Sequence, residues 1–270
     1  MNINKKRLTV LLFASFAALV AFSCTKETEL DSSPANRLSG VDGGLGYYDA
    51  GWTFEYDDQG VLVSFFMSNE YYQITYPCVW EDGLLVKIVY GNSYYDDSYY
   101  CSYDEQGRLV SMVQRDTIPE FFLVKESYAK FSYNDKGEIE SIVREGKKVR
   151  NGYEEGNVSE YNFEWENGNV SNFHYKDYRW YDNPSNIDKD SLYFEETIED
   201  LEYDSHPNPF LQLPLAVRVL LHLDANEGDF TFLCKNNCVT ETEYTYKNNG
   251  YPLYCKGWIN RKYEYSGMID

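Results

Sequence analysis

The stretch Tyr103-Asp-Glu-Gln-Gly107 decides the fold, because the chain repeats it along most of its length. Each copy has an aromatic residue, two or three mostly acidic or amide residues, and a glycine, and an apolar segment follows. Glycine accepts the positive φ that a tight turn requires. Each copy therefore predicts a hairpin of strand, tight turn and strand. The other clear copies begin at six aromatic residues: Tyr56, Trp80, Tyr133, Tyr153, Trp165 and Tyr246.

The residues around these turns alternate in polarity. Two residues before each turn aromatic stands an apolar residue such as Phe54, Cys101 or Phe131, and the residue between them is polar in most copies. This alternation is typical of an antiparallel sheet with one solvated face. After each glycine, apolar residues recur at two and five positions, as in Leu109 and Met112. Because a spacing of three would change faces, we expect a bulge there.

One segment departs from the β pattern. Leu215 to Leu223 is an apolar run preceded by Pro214, which is acceptable at a first helical position, and Asp224-Ala-Asn-Glu-Gly228 closes it. The sequence thus predicts an all-β fold: an antiparallel meander of repeated β-hairpins that curls into a single barrel-like sheet. A short helix at about 214–223 is expected to cover or plug this sheet.

The N-terminus predicts export. Lys5, Lys6 and Arg7 precede an apolar stretch of 15 residues, Leu8 to Phe22, which is too short for a spanning helix and fits a signal peptide. Ala21-Phe-Ser-Cys24 resembles the cleavage box of bacterial lipoproteins, whose cysteine becomes the lipidated first residue, although Ala21 stands where leucine is usual. The alternative is ordinary secretion with Cys24 as a structural thiol.

Three segments follow from this interpretation: a lipoprotein signal peptide at 1–23, a lipidated flexible tether at 24–46, and a repeat β-hairpin domain at 47–270. The stretch after Cys24 is polar and acidic, so it cannot offset the entropy of folding. Lys26-Glu27 and Glu29 resemble the signal that sends Bacteroides-type lipoproteins to the outer face of the outer membrane. We therefore expect a lipid anchor at Cys24 in the cell outer membrane, with the domain exposed at the surface.

The charge limits the partners. The chain has 24 basic and 44 acidic residues and a net charge of −20. The predicted signal peptide contains three basic and no acidic residues, so the remainder has 21 basic and 44 acidic residues, a net charge of −23. Nucleic acid is excluded as a partner, since its binding requires basic residues that neutralise phosphates. Contact with the outer membrane must come through the N-terminal lipid.

The hairpin copies resemble the tyrosine-aspartate (YD/RHS-like) repeats of bacterial wall-associated and toxin-shell proteins. They resemble more closely a Bacteroides-type lipoprotein domain of unknown function with a porin-like fold. The second resemblance covers roughly residues 50 to 265 and includes Tyr203-Asp-Ser-His-Pro-Asn-Pro-Phe210, Leu213-Pro-Leu215, Lys235-Asn-Asn237 and Tyr244 to Pro252. It implies a fold and an envelope location, and it transfers no catalytic residue.

The cysteines after Cys24 divide into two groups. Cys78, Cys101 and Cys255 occupy core positions of the repeat, and strands two apart in a meander are about 9.5 Å apart, beyond the roughly 7 Å limit for a disulfide. We expect buried thiols there. Cys234 and Cys238 bracket Lys-Asn-Asn and could form a disulfide across a hairpin in an oxidising compartment, which the sequence leaves open. No metal or cofactor site is predicted, because none of the three histidines has zinc-ligand spacing with the cysteines.

Catalytic motifs do not stand out. No serine lies in a nucleophile-elbow context, and the acidic pairs at the turns favour simple solvation. A glycosidase would need two carboxylates about 5 to 9 Å apart in a cleft. The aromatic surplus is more informative, because aromatic platforms beside polar groups suit sugars and peptides. The candidate ligand-binding residues are Trp180, Tyr181 and Trp258, with an extension of the core as the alternative.

The sequence therefore predicts a non-enzymatic, lipid-anchored envelope protein that binds glycan or peptide ligands at the cell surface. One alternative is a hydrolase that uses acidic residues on envelope or dietary polysaccharide. Another is a structural envelope protein with no small ligand. A membrane-spanning barrel is disfavoured by the mean hydropathy of −0.56.

Overall fold

The computed structural model describes residues 37–45, 50–68, 73–90, 98–118, 123–150, 153–181, 192–224, 230–257 and 260–266. The strands of this part of the chain are β1 (Leu38–Leu45), β2 (Ala50–Tyr56), β3 (Leu62–Ser68), β4 (Gln73–Glu81), β5 (Leu84–Val89), β6 (Ser98–Tyr103), β7 (Leu109–Ile118), β8 (Leu123–Tyr133), β9 (Ile139–Arg150), β10 (Tyr153–Glu166), β11 (Asn169–Tyr181), β12 (Leu192–Ile198), β13 (Tyr203–Pro207), β14 (Asn236–Cys238), β15 (Thr242–Tyr246), β16 (Pro252–Gly257) and β17 (Arg261–Tyr265).

Fifteen of these described strands form one antiparallel sheet. Its order is β12-β11-β10-β9-β8-β7-β6-β5-β4-β3-β2-β1-β17-β16-β15, and β13 pairs with β14 in a small second sheet. From β2 to β12 the order follows the chain, which confirms the predicted meander. The C-terminal strands join at the other side of β1, where Val41 lies opposite Tyr263.

The sheet is curled and barrel-like, but the described edge strands β12 and β15 do not pair with each other. The curl follows from the contacts of the chain segment that lies between β12 and β15 in the sequence. Phe230 packs against Phe173 of β11 with ring centroids 5.2 Å apart, while Gln212 accepts a hydrogen bond of 2.7 Å from the backbone N–H of Leu38 in β1. Strands β11 and β1, which are ten positions apart in the sheet, therefore contact the same chain segment.

The turn chemistry agrees with the repeats. In three of the four-residue turns, the side chain of the first turn residue caps the loop: Asp104 Oδ1 accepts from the backbone N–H groups of Gln106 and Arg108. Asp57 and Asn134 do the same in their own turns. Two shorter turns have two residues at positive φ, Asp82 (φ 50°) with Gly83 (φ 79°) and Asn167 (φ 55°) with Gly168 (φ 82°). This backbone twist matches the twist of the flanking strands.

The expected bulges are present. Ser102 pairs with Ser111 and Tyr103 with Leu109, so one residue of β7 is left between the two pairs. Because of this extra residue, the apolar residue five positions after each glycine lies on the same buried face as the one two positions after it. The residues two and five positions after the glycines are accordingly no more than 5% exposed: Leu62, Phe65, Leu85, Ile88, Leu109, Met112, Ile139, Ile142, Val170 and Phe173.

One predicted turn is wrong. Gly156 does not close a hairpin but lies inside β10, opposite Trp180 of β11 and Lys147 of β9. Its lack of a side chain serves packing, because a Cβ there would lie 2.4 Å from Cζ2 of Trp180 and 2.2 Å from the carbonyl oxygen of Gly146. The connection between β9 and β10 falls at residues 151 and 152, outside the described residues.

The start of the sheet also differs from the prediction. Strand β1 lies within residues 24–46, the stretch predicted as a tether, and it pairs with both β2 and β17. Residues from Leu38 onward are therefore part of the sheet. Cys24 and the predicted signal peptide at 1–23 lie outside the described residues.

The predicted helix is present as α1 (Leu215–Asp224), directly after Pro214. It is flanked by short 3-10 helices at Pro209–Gln212 and Phe230–Leu233. Val217, Val219 and Leu220 are fully buried, and burial contributes about 1.5 to 3 kcal/mol per such side chain. His222 packs edge-on against Tyr161 and Phe173, so the helix covers the inner face of β10 and β11. No helix in the described ranges is both long enough and apolar enough to traverse a membrane.

Candidate ligand-binding site

The inner face of the sheet changes from apolar to polar where α1 ends. Strands β7 to β11 are the long strands of the sheet, with 10, 11, 12, 14 and 13 residues. On the inner face of β10, the buried side chains of Phe163 and Tyr161 are followed by Ser159 and Asn157. On β11, Phe173 and Tyr175 are followed by Asp177 in the same way. The long strands thus carry a polar surface beyond the reach of the helix.

This polar surface forms an open pocket of about 500 Å³. The volume is within the roughly 300 to 1,000 Å³ range of small-ligand sites. Its floor comes from β7 to β11, and Leu223 at the end of α1 borders it. We call it the inner-face pocket. Its central polar side chains are Ser127, Arg144, Asn157, Ser159, Asp177 and Arg179.

A buried carboxylate organises one side of the pocket. Asp177 is only 4% exposed. Its Oδ1 accepts hydrogen bonds from Ser159 Oγ at 3.0 Å and from Asn157 Nδ2 at 3.2 Å. Its Oδ2 accepts from Arg179 Nε at 3.2 Å. Burial of a charge is costly unless it is paired and hydrogen-bonded, and these three donors meet that requirement.

An arginine organises the opposite side. Arg144 projects from β9, where its Nε donates to Ser127 Oγ at 3.0 Å and its Nη1 donates to the carbonyl oxygen of Leu223 at 3.2 Å. The second contact satisfies one of the carbonyls that the last turn of a helix leaves without an internal partner. The guanidinium is therefore fixed between the sheet and the end of α1.

Aromatic rings complete the walls. Tyr161 and Tyr175 pack with ring centroids 4.9 Å apart, and burial raises the pKa of Tyr161, so its hydroxyl stays neutral. Trp180 also borders the pocket and is 6% exposed. Rings beside hydrogen-bonding groups can contact the apolar faces of a ligand while the polar groups orient it.

The lining is basic in an acidic protein. Among the residues that border the pocket, five are basic and three are acidic, whereas the whole chain has 24 basic and 44 acidic residues. The basic residues are Lys125, Arg144, Lys147, Lys148 and Arg179, and the acidic residues are Glu126, Glu155 and Asp177. The local reversal of charge balance favours a ligand that carries negative charge.

Of the three ligand-binding residues predicted from the sequence, the structure describes the side chain of one, which borders the pocket. Trp180 borders the pocket, and its ring also packs over Gly156. Tyr181 is the last residue of β11, and its side chain is outside the described part of the structure. Trp258 also falls outside the described residues.

The hairpin that the sequence left open around Cys234 and Cys238 is not formed. Asn236–Cys238 forms β14, which pairs with β13, so the two cysteines do not face each other across a turn. The structure has both as thiols and contains no disulfide between them. Cys234 Sγ instead lies 3.6 Å from the carbonyl oxygen of Phe230 and 3.4 Å from the hydroxyl of Tyr203. Cys78 and Cys101 are thiols on β4 and β6, with β5 between them as predicted.

Sequence reasoning missed Arg144, Ser159 and Asp177. A signal was present, because inner-face positions of β11 read Phe173, Tyr175, Asp177 and Arg179 at a period of two. The change from aromatic to charged side chains along one face of a long strand marks a site that the helix does not cover.

Within the described ranges, no group of three or more His, Cys, Asp or Glu side chains is arranged to hold a metal ion. Two of the three acidic residues of the pocket are paired with basic side chains: Asp177 with Arg179, and Glu155 with Lys148 at 2.5 Å. The comparisons with known proteins do not assign the site. No protein-family model matches the chain, and no curated protein matches its sequence.

Proposed function

We propose that this chain is a non-enzymatic binding protein of the cell envelope that holds a glycan or peptide ligand in the inner-face pocket. The observation that carries the proposal is the arrangement at Asp177. A buried carboxylate held by Ser159, Asn157 and Arg179 borders an open pocket with aromatic walls. A few fixed polar groups in a concave, partly aromatic site are typical of ligand recognition.

The proposed location is the outer membrane, with the domain on the outer face. The support is in the sequence: the apolar segment Leu8 to Phe22, the cleavage box that ends at Cys24, and the acidic residues Glu27 and Glu29. A lipid at Cys24 provides the attachment that an acidic surface cannot obtain from anionic head groups.

A hydrolase is the second candidate, because Asp177 and Glu155 share the pocket. The arrangement favours binding over hydrolysis. A glycosidase keeps one carboxyl protonated by placing it in an apolar environment. Here each carboxylate contacts a basic side chain, Arg179 or Lys148.

The test is a binding screen of the full-length protein, purified in mild detergent, against arrays of oligosaccharides and short peptides. Tryptophan fluorescence reports binding, since Trp180 borders the pocket. The pocket variant is Arg179→Ala. The matched control is Lys176→Ala, which removes a cation from the opposite face of the same strand, where Lys176 contacts Glu195.

We expect a saturable fluorescence change that Arg179→Ala weakens and Lys176→Ala preserves, with both variants folded by circular dichroism. Binding that both variants retain would place the ligand elsewhere. No binding across both arrays would favour a structural envelope protein. Release of reducing sugar from a bound oligosaccharide, abolished by Asp177→Asn, would establish the hydrolase instead.

A further inference from the structure

We propose that the ligand of the inner-face pocket is an acidic sugar, and that its carboxylate binds to the guanidinium of Arg144. The inference rests on the proposed binding function and specifies its ligand. It starts from the reversal of charge balance, since five of the eight charged residues that border the pocket are basic in a chain of net charge −20.

The contacts distinguish Arg144 from three of the other basic residues. Arg179 is paired with Asp177, Lys148 with Glu155, and Lys147 with Glu154 at 3.0 Å. In the described residues, the hydrogen bonds of Arg144 go to two neutral acceptors, the hydroxyl of Ser127 and the carbonyl oxygen of Leu223. No carboxylate of the described residues therefore pairs with its charge.

The geometry of Arg144 suits anion binding. A guanidinium has five N–H donors in a rigid plane, and the contacts to Ser127 and Leu223 use two of them. These contacts anchor the group, and its other three donors have no partner among the described residues. An arginine whose plane is already fixed can bind a carboxylate through two parallel hydrogen bonds with little loss of side-chain entropy.

The position of the pocket favours a sugar over a peptide. Peptides that bind to sheets commonly add a strand to an edge, where main-chain groups are unpaired. The floor of this pocket is the face of interior strands, and β9 and β10 are paired with neighbours on both sides. Recognition must therefore come from side chains. Hydroxyl and amide groups such as Ser159 and Asn157, beside the rings of Tyr161 and Tyr175, match the hydroxyl-rich edges and apolar faces of a sugar ring.

The experiment uses the full-length protein in mild detergent and a matched pair of probes. One is an oligogalacturonate, and the other is the same oligosaccharide with its carboxylates methyl-esterified. A second pair is a tripeptide with a free C-terminal carboxylate and its C-terminal amide. Isothermal titration calorimetry measures all four at low and at high salt.

We expect the oligogalacturonate to bind about tenfold or more tightly than its ester, because hydrogen bonds to a charged group contribute more than neutral ones. Salt should weaken binding of the acid and leave the ester unaffected. In Arg144→Gln the acid and the ester should bind equally, whereas Arg144→Lys should keep part of the preference. Lys176→Gln, on the outer face of β11, should behave as the unmodified chain.

The outcomes separate the two proposals. Equal, salt-independent affinity for acid and ester, with binding that still depends on Arg179, would retain the binding function and overturn the acidic ligand. A preference for the free tripeptide over its amide, with no oligosaccharide bound, would overturn the sugar. Absence of any binding in the probes and in the wider screen would overturn both. The salt dependence needs no substitution, so the inference can fail even if Arg144→Gln does not fold.

Discussion

The hydroxyl of Tyr133 donates a hydrogen bond of 2.7 Å to the backbone carbonyl oxygen of Leu109. Tyr133 is a turn aromatic of one repeat, and Leu109 is the second residue after the turn glycine of the preceding repeat. The ladder between β7 and β8 ends at the pair Ser111 and Lys130, so the carbonyl of Leu109 lies beyond its last pair. The hydroxyl of Tyr133 therefore donates to a carbonyl that the pairing of β7 with β8 does not reach.

The same contact recurs along the sheet. In each case a tyrosine or tryptophan, most often a turn aromatic, donates to a carbonyl near the start of an earlier strand: Tyr56 to Leu38, Trp80 to Leu62, Tyr103 to Leu85, Trp165 to Ile139, Tyr203 to Val170, and Tyr265 to Pro252. Both tyrosine and tryptophan occur at this position because both combine a ring with a hydrogen-bond donor. The repeat therefore encodes a link between successive hairpins as well as a turn.

We predict that Tyr133→Phe lowers the free energy of unfolding by about 1 to 2 kcal/mol, because it keeps the ring and removes the donor from the carbonyl of Leu109. Urea unfolding measures the change. The control is Tyr128→Phe, since Tyr128 is on the same strand and 40% exposed; we expect less than about 0.5 kcal/mol there. Equal effects of the two substitutions would show that the link does not stabilise the sheet.

We predict that Gly156→Ala disturbs the pocket. A methyl group at this position would overlap the ring of Trp180 and the carbonyl of Gly146, so the tryptophan must move. Overpacking of this kind costs about 1 to 3 kcal/mol, and the emission of Trp180 should shift to longer wavelength. Fluorescence and thermal unfolding test both effects.

The control for that experiment is Gly137→Ala. Gly137 has φ 81° and nothing within 4 Å of an added Cβ. Its substitution should cost about 1 to 2 kcal/mol through backbone strain alone, without any change in tryptophan emission. An unshifted spectrum in folded Gly156→Ala would contradict the packing of Trp180 on this glycine.

We predict that the protein loses stability at alkaline pH. Burial raises the pKa of Cys78 and of Cys101 from 9.0 to about 12, and it raises the pKa of Tyr133 from 10.0 to about 12. A raised pKa in the folded state means that the unfolded chain releases its protons first. The stabilisation is therefore complete below pH 9 and is lost as the pH rises towards 12.

Urea midpoints measured across pH 9 to 12 test this prediction. The double variant Cys101→Val and Tyr133→Phe removes two of the groups and should flatten the decline relative to its own value below pH 9. Fast alkylation of Cys101 in the folded protein near neutral pH would be incompatible with a buried thiol of raised pKa.

The sheet could be predicted because its information is local and repeated. Asp104 caps its own turn, and Gly107 accepts the positive φ within the same four residues, so each copy could be interpreted without its neighbours. Strand β1 escaped prediction for the opposite reason. Its sequence contains Gly40, Gly43 and Gly44, and its neighbours β2 and β17 lie at opposite ends of the chain.

Gly156 shows a second limit. A glycine after an aromatic and two acidic residues predicts a turn, but glycine also serves where another group approaches the backbone closely. Here that group is the ring of Trp180, 24 residues further along the chain. The pocket was missed on similar grounds, since Arg144 and Asp177 come together only through the register of three long strands.

We predict that Cys24→Ala releases the protein from the membrane. If Cys24 carries the lipid, the unmodified chain should fractionate with the outer membrane and show an N-terminal mass increased by acyl groups, because stable attachment requires more than one chain. The variant should lose that modification and leave the outer-membrane fraction. The control is Cys78→Ala, which replaces a thiol on β4 and should remain attached. Retention of Cys24→Ala in the membrane fraction, or an unmodified Cys24 in the native protein, would mean that attachment depends on another part of the chain.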